Sequence, residues 1–291
     1  MSSAKAQPSW VRASQPDASL EQRWLVSAPE AKQLIEQGAT LLDARSQGFG
    51  VRRLQGATVV NWRQFSPTEA AGRGTLVADE TQLTRQLQAL GISANRPVVV
   101  FANPPKGWGE DGRIVWMLRT LGHRQAVMVD GGFQALVRAE VPFQQGTRLA
   151  PKPGNFVARH SSAWDIQRDE LRDQLGSGSL SIIDTREPRE FAGQTPYGER
   201  RGGHIPGAIN LYFKDFLRED GTLLPQADLL NKLGELGITS DKPVVVYCTG
   251  GIRSGWLAAV LATMGFQVKN YAGSMWEWSA ASADHYPLET Q

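Results

Sequence analysis

The chain of 291 residues has a single cysteine, Cys248. One cysteine excludes an intramolecular disulfide and any zinc site built from several thiolates. It also leaves a free thiol, which suits a reducing compartment, so we expect a cytoplasmic protein. The four histidines show no metal-ligand spacing, and no glycine motif for nucleotide phosphates is present. The sequence therefore predicts neither a metal ion nor another cofactor.

Long hydrophobic runs and a strong net charge are missing as well. No segment is long enough for a transmembrane helix, and the first residues lack the apolar core of a secretory signal. A net charge of +2 is too small to indicate nucleic acid or a membrane surface as a partner. Residues 1–22 are rich in Ser, Ala and Gln, which predicts a flexible tail, with a weak organellar transit peptide as the alternative.

The sequence contains an internal repeat, because five blocks of the first half recur in the same order in the second. They are 41–45 (LLDAR) with 182–186 (IIDTR), 56–58 (GAT) with 207–209 (GAI), 83–92 with 229–238, 97–102 (PVVVFA) with 243–248 (PVVVYC), and 130–132 (DGG) with 272–274 (AGS). Such a series indicates a tandem duplication of one domain. We expect a tail over 1–22, an N-terminal domain over 23–143, a Pro- and Gly-containing linker over 144–155 and a C-terminal domain over 156–291.

Each half alternates strand and helix patterns. Continuous apolar runs such as 244–247 predict strands that are buried on both faces. The four leucines within 229–236 share one face of a predicted helix, which Gly237 ends. Ser27 is a suitable N-cap for another helix, with Pro29 in its first turn. The alternation predicts an α/β fold in which each domain is a mainly parallel sheet with helices on both faces.

The cysteine stands between a predicted strand and a predicted helix. The residues that link it to the helix pattern are Thr249, Gly250, Gly251, Ile252 and Arg253. At the carboxyl end of a parallel strand, the N–H groups of a glycine-bearing loop and of a helix start can point at one atom. Such a cradle would stabilise a thiolate or a persulfide, and Arg253 could hold an anionic substrate. A lone cysteine is more often a small buried hydrophobe, but this context favours a nucleophile.

With these residues in place, the chain resembles the tandem-domain rhodaneses, the family of thiosulfate and 3-mercaptopyruvate sulfurtransferases. The resemblance covers nearly all of the chain after residue 22. The motifs that carry it are 184–187 (DTRE), 203–208 (GHIPGA), the loop 248–253 (CTGGIR), and 271–274 (YAGS) with Glu277 and Trp278 behind it. It implies two rhodanese-like domains with catalysis in the C-terminal one. There the cysteine takes the outer sulfur of a donor as a persulfide and passes it to cyanide or another thiophile.

The resemblance also implies roles for individual residues. Cys248 is the catalytic nucleophile, and the loop from Thr249 to Arg253 binds the substrate. Arg186 is implied to bind the anionic donor. Asp184 is expected to have a structural role near the site, either bonding loop N–H groups or holding Arg186.

Other polar residues close to these motifs are not assigned to catalysis. Arg189, Arg200 and Arg201 flank the loop 187–203, and one of them could line the cleft, although we expect most of them to be solvated charges. His204 belongs to a turn motif, and sulfur transfer from a preformed thiolate needs no strong base. We therefore expect a structural histidine.

The first half has no nucleophile at the matching position. Ala102 stands where Cys248 stands in the repeat, and the loop 103–110 is longer and contains two prolines that cannot donate an N–H. An anion cradle is therefore not expected there. We interpret the N-terminal domain as catalytically inactive and as one wall of the active cleft.

Three functions remain open at this stage. Cysteine phosphatases of related fold have five residues between cysteine and arginine, whereas this loop has four, which disfavours a phosphatase or an arsenate reductase. The residues after the cysteine match neither the basic pattern of animal thiosulfate enzymes nor the Cys-Gly-Ser/Thr-Gly-Val-Thr pattern of mercaptopyruvate enzymes. Arg253 favours thiosulfate as donor. The alternatives are 3-mercaptopyruvate, or a carrier or binding module that delivers sulfur to a protein thiol. We expect a monomer.

Overall fold

The computed structural model describes residues 19–46, 52–69, 72–145 and 150–290. In the first half, five short strands form one sheet in which every pair of neighbours is parallel. They are β1 (Leu25–Val26), β2 (Thr40–Asp43), β3 (Thr58–Val59), β4 (Val98–Phe101) and β5 (Ala126–Val129), in the order β1-β5-β4-β2-β3. The three central strands are buried along their whole length, as expected when helices cover both faces of a sheet.

Helices connect these strands and begin where local capping allows. They are α1 (Ala28–Glu36), α2 (Glu80–Ala89), α3 (Glu110–Thr120) and α4 (Gly132–Arg138), with a 3-10 turn over Trp62–Phe65. The predicted start of α1 is confirmed, because the Ser27 hydroxyl accepts the N–H of Glu30 at 3.4 Å and Pro29 lies in the first turn.

The second half repeats this architecture. Its parallel strands are β6 (Ser181–Asp184), β7 (Ala208–Asn210), β8 (Val244–Tyr247) and β9 (Val268–Asn270), in the order β7-β6-β8-β9. Its helices are α5 (Arg168–Asp173), α6 (Pro188–Phe191), α7 (Gln226–Glu235), α8 (Ile252–Thr263) and α9 (Ser274–Trp278), with a 3-10 turn over Phe213–Phe216. An isolated parallel bridge between Asp165 and Asn270 takes the place of β1. The predicted α/β fold with two copies of one sheet is confirmed.

The two halves pack against each other through α3 and α8. A Cβ atom on Gly112 would lie 2.3 Å from the Cα atom of Trp256, and one on Gly255 would lie 3.1 Å from the Cα atom of Arg113. The two backbones are therefore in direct contact at these positions. One hydrophobic cluster extends across both halves of the chain. The helix that follows Cys248 is thus held by the N-terminal half.

The predicted linker over 144–155 includes residues 146–149, which lie outside the described residues. Its last residues pack on the first half, because the N–H of Gly154 donates to the carbonyl of Gln88 at 2.8 Å. The domain boundaries stay a prediction.

The predicted tail lies outside the described residues up to position 18. Beyond that point the chain is held, since Arg119 Nη2 donates to the carbonyl of Leu20 at 2.6 Å. None of the helices in the described ranges has the length and hydrophobicity that a membrane span requires.

Candidate active site

Cys248 lies at the carboxyl end of β8 and is 1% exposed. The next turn leads into α8, whose N-cap is Gly251 with a φ of +80°, a conformation that favours glycine. This turn directs backbone and side-chain donors at the sulfur. Sγ accepts the N–H of Gly251 at 3.1 Å and lies 3.5 Å from the hydroxyl of Ser254. One backbone N–H of the predicted cradle therefore contacts the sulfur, and the hydroxyl of Ser254 is a second donor that the sequence interpretation missed.

The cradle favours the anionic form of the thiol. Burial raises the pKa of Cys248, but the positive charge of Arg253 and hydrogen bonds from Ser254 and Gly250 lower it by more. The pKa of Cys248 therefore lies below its ordinary value. A larger fraction of thiolate is present at neutral pH, and thiolate is the nucleophilic form.

Arg253 borders the cysteine but is already paired. Its Nη1 and Nη2 donate to the two carboxylate oxygens of Glu190 at 2.6 and 2.8 Å, and both side chains are buried. Nη2 also donates to Thr249 Oγ1 at 2.5 Å. Burial raises the pKa of Glu190, but the hydrogen bonds and charge of Arg253 reverse this and hold the pKa below its usual range. The charge of Arg253 is thus largely compensated, and Glu190 is a further site residue that the sequence interpretation missed.

The structure does not bring Arg186 to the cysteine pocket. Its guanidinium has no exposed surface, donates to Asp184 at 2.6 to 3.0 Å and binds the carbonyl of Gly203 at 2.7 Å. Asp184 Oδ1 also accepts the N–H of Arg186 at 3.0 Å. The expectation that Arg186 binds the donor is therefore corrected, because the carboxylate two residues earlier holds its side chain. Asp184 makes both kinds of contact expected of it, and Asp43 holds Arg45 in the same way in the first half.

Cys248 lies at a pocket with a volume of about 390 Å³ between the two halves. The C-terminal half lines it with Tyr197, Cys248, Thr249, Gly250, Ile252, Arg253 and Trp276, and the N-terminal half with Ser46, Trp62, Arg63, Trp108 and Glu110. The interpretation of the first half as one wall of the cleft agrees with this lining.

Aromatic rings from both halves form the walls of the pocket. Trp62 stacks near Trp276 with centroids 6.4 Å apart, and Trp108 meets Tyr197 edge to face at 5.5 Å. Each pair joins one ring from each half of the chain. The long N-terminal loop, predicted to be unable to bind an anion, instead places Trp108 at 5.3 Å from the guanidinium of Arg253. Packing of aromatic rings at the pocket thus gives the long N-terminal loop a structural role and accounts for part of the high tryptophan content.

Gly250 is required by one of these rings. A Cβ atom on Gly250 would lie 2.1 Å from Cζ3 of Trp276. The indole is fixed in this position, because its Nε1 donates to the carbonyl of Tyr197 at 2.9 Å. A larger residue after Thr249 would displace the ring.

The polar residues left out of catalysis have structural partners. His204 stacks on Phe191 with centroids 3.6 Å apart and lies 3.0 Å from its carbonyl oxygen. Arg201 binds four carbonyl oxygens, among them that of Trp278 at 3.0 Å, so it is not the solvated charge that was expected. Arg189 pairs with Glu187 at the surface. None of these side chains lines the cysteine pocket.

A larger cavity of about 470 Å³ lies elsewhere between the halves and does not include Cys248. Its carboxylates have partners within the chain, since Asp165 accepts from His160 at 3.0 Å and Glu277 accepts from Tyr271 at 2.9 Å. We place the candidate active site at the smaller pocket because Cys248 lines it.

The rhodanese-like domain family matches the chain twice, over residues 27–139 and 167–281. The chain belongs to this family. SseB of Mycobacterium tuberculosis, to which a thiosulfate sulfurtransferase activity is assigned provisionally, is 30% identical over 275 residues, or 93% of this chain and 90% of SseB. Human 3-mercaptopyruvate sulfurtransferase is 28% identical over 240 residues, or 81% of this chain and 80% of the human protein.

A solved structure shares the fold of this chain. The crystal structure of SseA from Escherichia coli, described as a 3-mercaptopyruvate enzyme with the rhodanese fold, superimposes with a TM-score of 0.74 at 23% identity. The match covers 87% of this chain and 98% of SseA. At this level of identity the likeness concerns the fold alone.

Proposed function

We propose that this chain is a sulfurtransferase that moves a sulfane sulfur from thiosulfate to cyanide or another thiophile through a persulfide on Cys248. The observation that supports this most is the placement of Sγ, with the N–H of Gly251 at 3.1 Å and the hydroxyl of Ser254 at 3.5 Å. Hydrogen bonds of this kind stabilise an anion, and both the thiolate and the terminal persulfide sulfur are anionic.

The first half-reaction loads the cysteine. The Cys248 thiolate attacks the outer sulfur of thiosulfate, a new S–S bond forms, and the original S–S bond breaks with its electron pair leaving on sulfite. No proton has to move once the thiol is ionised, and the cradle favours the ionised form because the pKa of Cys248 is lowered. The donor enters past Arg63, an exposed guanidinium that lines the pocket.

The second half-reaction empties the cysteine. The carbon of cyanide, or the sulfur of a thiolate acceptor, attacks the terminal persulfide sulfur. The S–S bond to Cys248 breaks, and its electron pair returns to Sγ as the thiolate that the cradle stabilises. The second half-reaction thus regenerates the Cys248 thiolate, which the same hydrogen-bond donors stabilise as before the transfer. The enzyme is then ready for the next donor.

A second candidate donor is 3-mercaptopyruvate. A volume of about 390 Å³ with four aromatic side chains on its walls exceeds the needs of thiosulfate and accommodates an organic donor. Its carboxylate would then face Arg63. A comparison of kcat/KM for the two donors decides between them, and a clear preference for 3-mercaptopyruvate would replace thiosulfate in the proposal.

The central test is the intact mass of the reduced protein before and after incubation with thiosulfate. We expect a gain of one sulfur atom that cyanide removes and that Cys248→Ser abolishes. A gain with 3-mercaptopyruvate alone supports the second donor. No gain with either donor contradicts the proposal.

A matched control separates the cradle from the mere presence of a thiol. Ser177→Cys in the Cys248→Ser background places one cysteine at an exposed position outside the pocket. We expect this variant to gain no sulfur from thiosulfate. A gain equal to that of the natural chain would show that the cradle is not needed.

A further inference from the structure

Arg113 of α3 belongs to the N-terminal half but contacts the cysteine loop of the C-terminal half. Its side chain is 1% exposed. Nη1 donates to the carbonyl of Gly251 at 3.3 Å, and Nη2 donates to the carbonyl of Gly74 at 2.6 Å. No step of the proposed sulfur transfer uses this arginine.

The first contact acts on the residue that binds the sulfur. Gly251 donates its N–H to Sγ of Cys248, while its carbonyl accepts from Arg113 and from Asn270 Nδ2, each at 3.3 Å. A Cβ atom on Gly251 would lie 2.6 Å from Arg113 Nη1. The guanidinium therefore restricts the movement of the Gly251 backbone. It thereby also holds the N–H of Gly251 that points at the sulfur.

Within the part of the chain that the structure describes, no carboxylate is hydrogen bonded to Arg113. Burial lowers its pKa to about 10, and the negative charge of Cys248 is the largest effect that opposes burial, followed by that of Asp165. Asp165 is hydrogen bonded to His160 at 3.0 Å and to Gln167 at 2.7 Å. Arg113 is thus cationic at neutral pH, and its described hydrogen bonds go to neutral carbonyl groups.

Of the other charged groups around the sulfur, Arg253 and Glu110 have described partners, whereas Arg63, which also lines the pocket, is exposed. Arg253 of α8 is bound by both carboxylate oxygens of Glu190 from α6. Glu110 at the start of α3 lines the pocket, and its Oε2 accepts the N–H of Trp108 at 2.9 Å. Arg113 therefore supplies a buried positive charge to which no carboxylate of the described residues is bonded, although the negative charge of Asp165 in the C-terminal half opposes the effect of its burial.

We propose that Arg113 is a positioning residue, which fixes Gly251 and stabilises the anionic sulfur of Cys248 with a buried positive charge. The inference rests on the proposed use of Cys248 as the sulfur carrier. It gives the N-terminal half a part in the chemistry although Ala102 replaces the nucleophile there.

The test uses the full chain, in which Cys248 is the only thiol. The rate of alkylation by iodoacetamide, measured against pH, reports the thiolate fraction directly. For Arg113→Met we expect the midpoint to rise by about one pH unit, so that alkylation near neutral pH falls up to about tenfold. Arg113→Lys, which keeps the charge, should stay within about half a unit of the natural chain.

Arg119→Met is the matched control, because Arg119 lies on the same helix, is similarly buried and donates to carbonyl groups away from the cysteine loop. Its midpoint should not move. An unchanged midpoint in folded Arg113→Met, or an equal shift in Arg119→Met, overturns the proposal.

If Arg113→Met does not fold, Arg113→Gln takes its place with the same expectation. If neither neutral variant folds, Arg113→Lys decides: a natural midpoint supports the proposal and a raised midpoint contradicts it. The outcome is separable from the proposed function, since alkylation requires no sulfur donor and the mass experiment requires no variant of Arg113.

Discussion

At the residue scale, two buried arginine–carboxylate pairs lie near the site and have different roles. Arg186 pairs with Asp184, its neighbour two positions earlier, and both side chains have no exposed surface. Arg253 pairs with Glu190 across a separation of 63 residues and borders the pocket. The first pair fixes a loop after β6, whereas the second joins α6 to the cysteine loop. Arg253, which belongs to the second pair, lowers the pKa of Cys248.

The sequence predicted the cysteine loop well because all its parts are adjacent along the chain. The strand, Cys248, the glycines and the helix start follow one another, so their geometry is local. Glu190 was missed because its contact with Arg253 depends on the tertiary fold. The prediction that Arg186 binds the donor was wrong for a related reason. A motif can place an arginine after a strand, but it does not show which carboxylate binds the side chain.

Replacement of Glu190 tests the weight of the buried pair. Glu190→Gln leaves the guanidinium of Arg253 buried without its counter-charge, so we expect the free energy of unfolding to fall by about 3 kcal/mol. Denaturant unfolding of the variant and the natural chain measures the difference. Glu187→Gln is the control, because Glu187 pairs with Arg189 at the surface and should change stability by less than about 1 kcal/mol. Equal losses for both variants would contradict a special role for the buried pair.

At the element scale, α8 has two functions that constrain its sequence. Its N-terminus forms the cradle, and its length packs against α3. Sequence periodicity describes such a helix poorly, because α8 is buried from Arg253 to Ala262 and has no polar face. Periodicity predicted α7 better, although only Leu229 and Leu233 of its three leucines are buried and Leu236, which follows the helix, is 36% exposed. The buried apolar face of α7 is therefore narrower than the sequence pattern predicted.

The contact between α3 and α8 can be tested at Gly112. Gly112→Ala would place a Cβ atom 2.3 Å from the Cα atom of Trp256, so the helices must separate. We expect a loss of at least about 2 kcal/mol in the free energy of unfolding, with reduced sulfur transfer because the cradle moves with α8. Gly234→Ala on α7 is the control: no atom lies within 4 Å of the added carbon, and the variant should be as stable as the natural chain or up to about 1 kcal/mol more stable. A stable and active Gly112→Ala would show that the backbones do not need this contact.

At the scale of the whole molecule, the N-terminal half has Ala102 at the position that corresponds to Cys248 and lines the pocket of the other half. The N-terminal half provides Trp62 and Trp108 for the walls of the pocket and Arg113 against the cysteine loop. The sequence could show the repeat and the missing cysteine. It could not show these contributions, because contacts between the two halves depend on the tertiary fold.

A buried carboxyl group in the first half makes the stability of the chain depend on pH. Asp111, near the start of α3, is fully buried, and its Oδ1 accepts the N–H of Gly112 at 2.9 Å. Burial, together with the charge of Glu110, raises the pKa of Asp111 from 3.8 to about 7, although backbone hydrogen bonds oppose the rise. The folded protein therefore holds the proton more tightly than the unfolded chain. The contribution of the protonated Asp111 carboxyl to the free energy of unfolding is fully present below about pH 4 and is lost as the pH rises through about 7.

Asp111→Asn should remove this dependence, since a neutral amide keeps the acceptor without the charge. A shift of about three pKa units corresponds to on the order of 4 kcal/mol. We expect the variant to melt about 5 to 10 °C above the natural chain at pH 8 and by about half that margin or less at pH 5, because the difference disappears only below about pH 4. Thermal unfolding at both pH values measures it, with Glu235→Gln, an exposed residue, as the control for loss of one charge. If the difference in melting temperature between the variant and the natural chain is the same at pH 8 and at pH 5, Asp111 is ionised in the folded protein at little cost in stability.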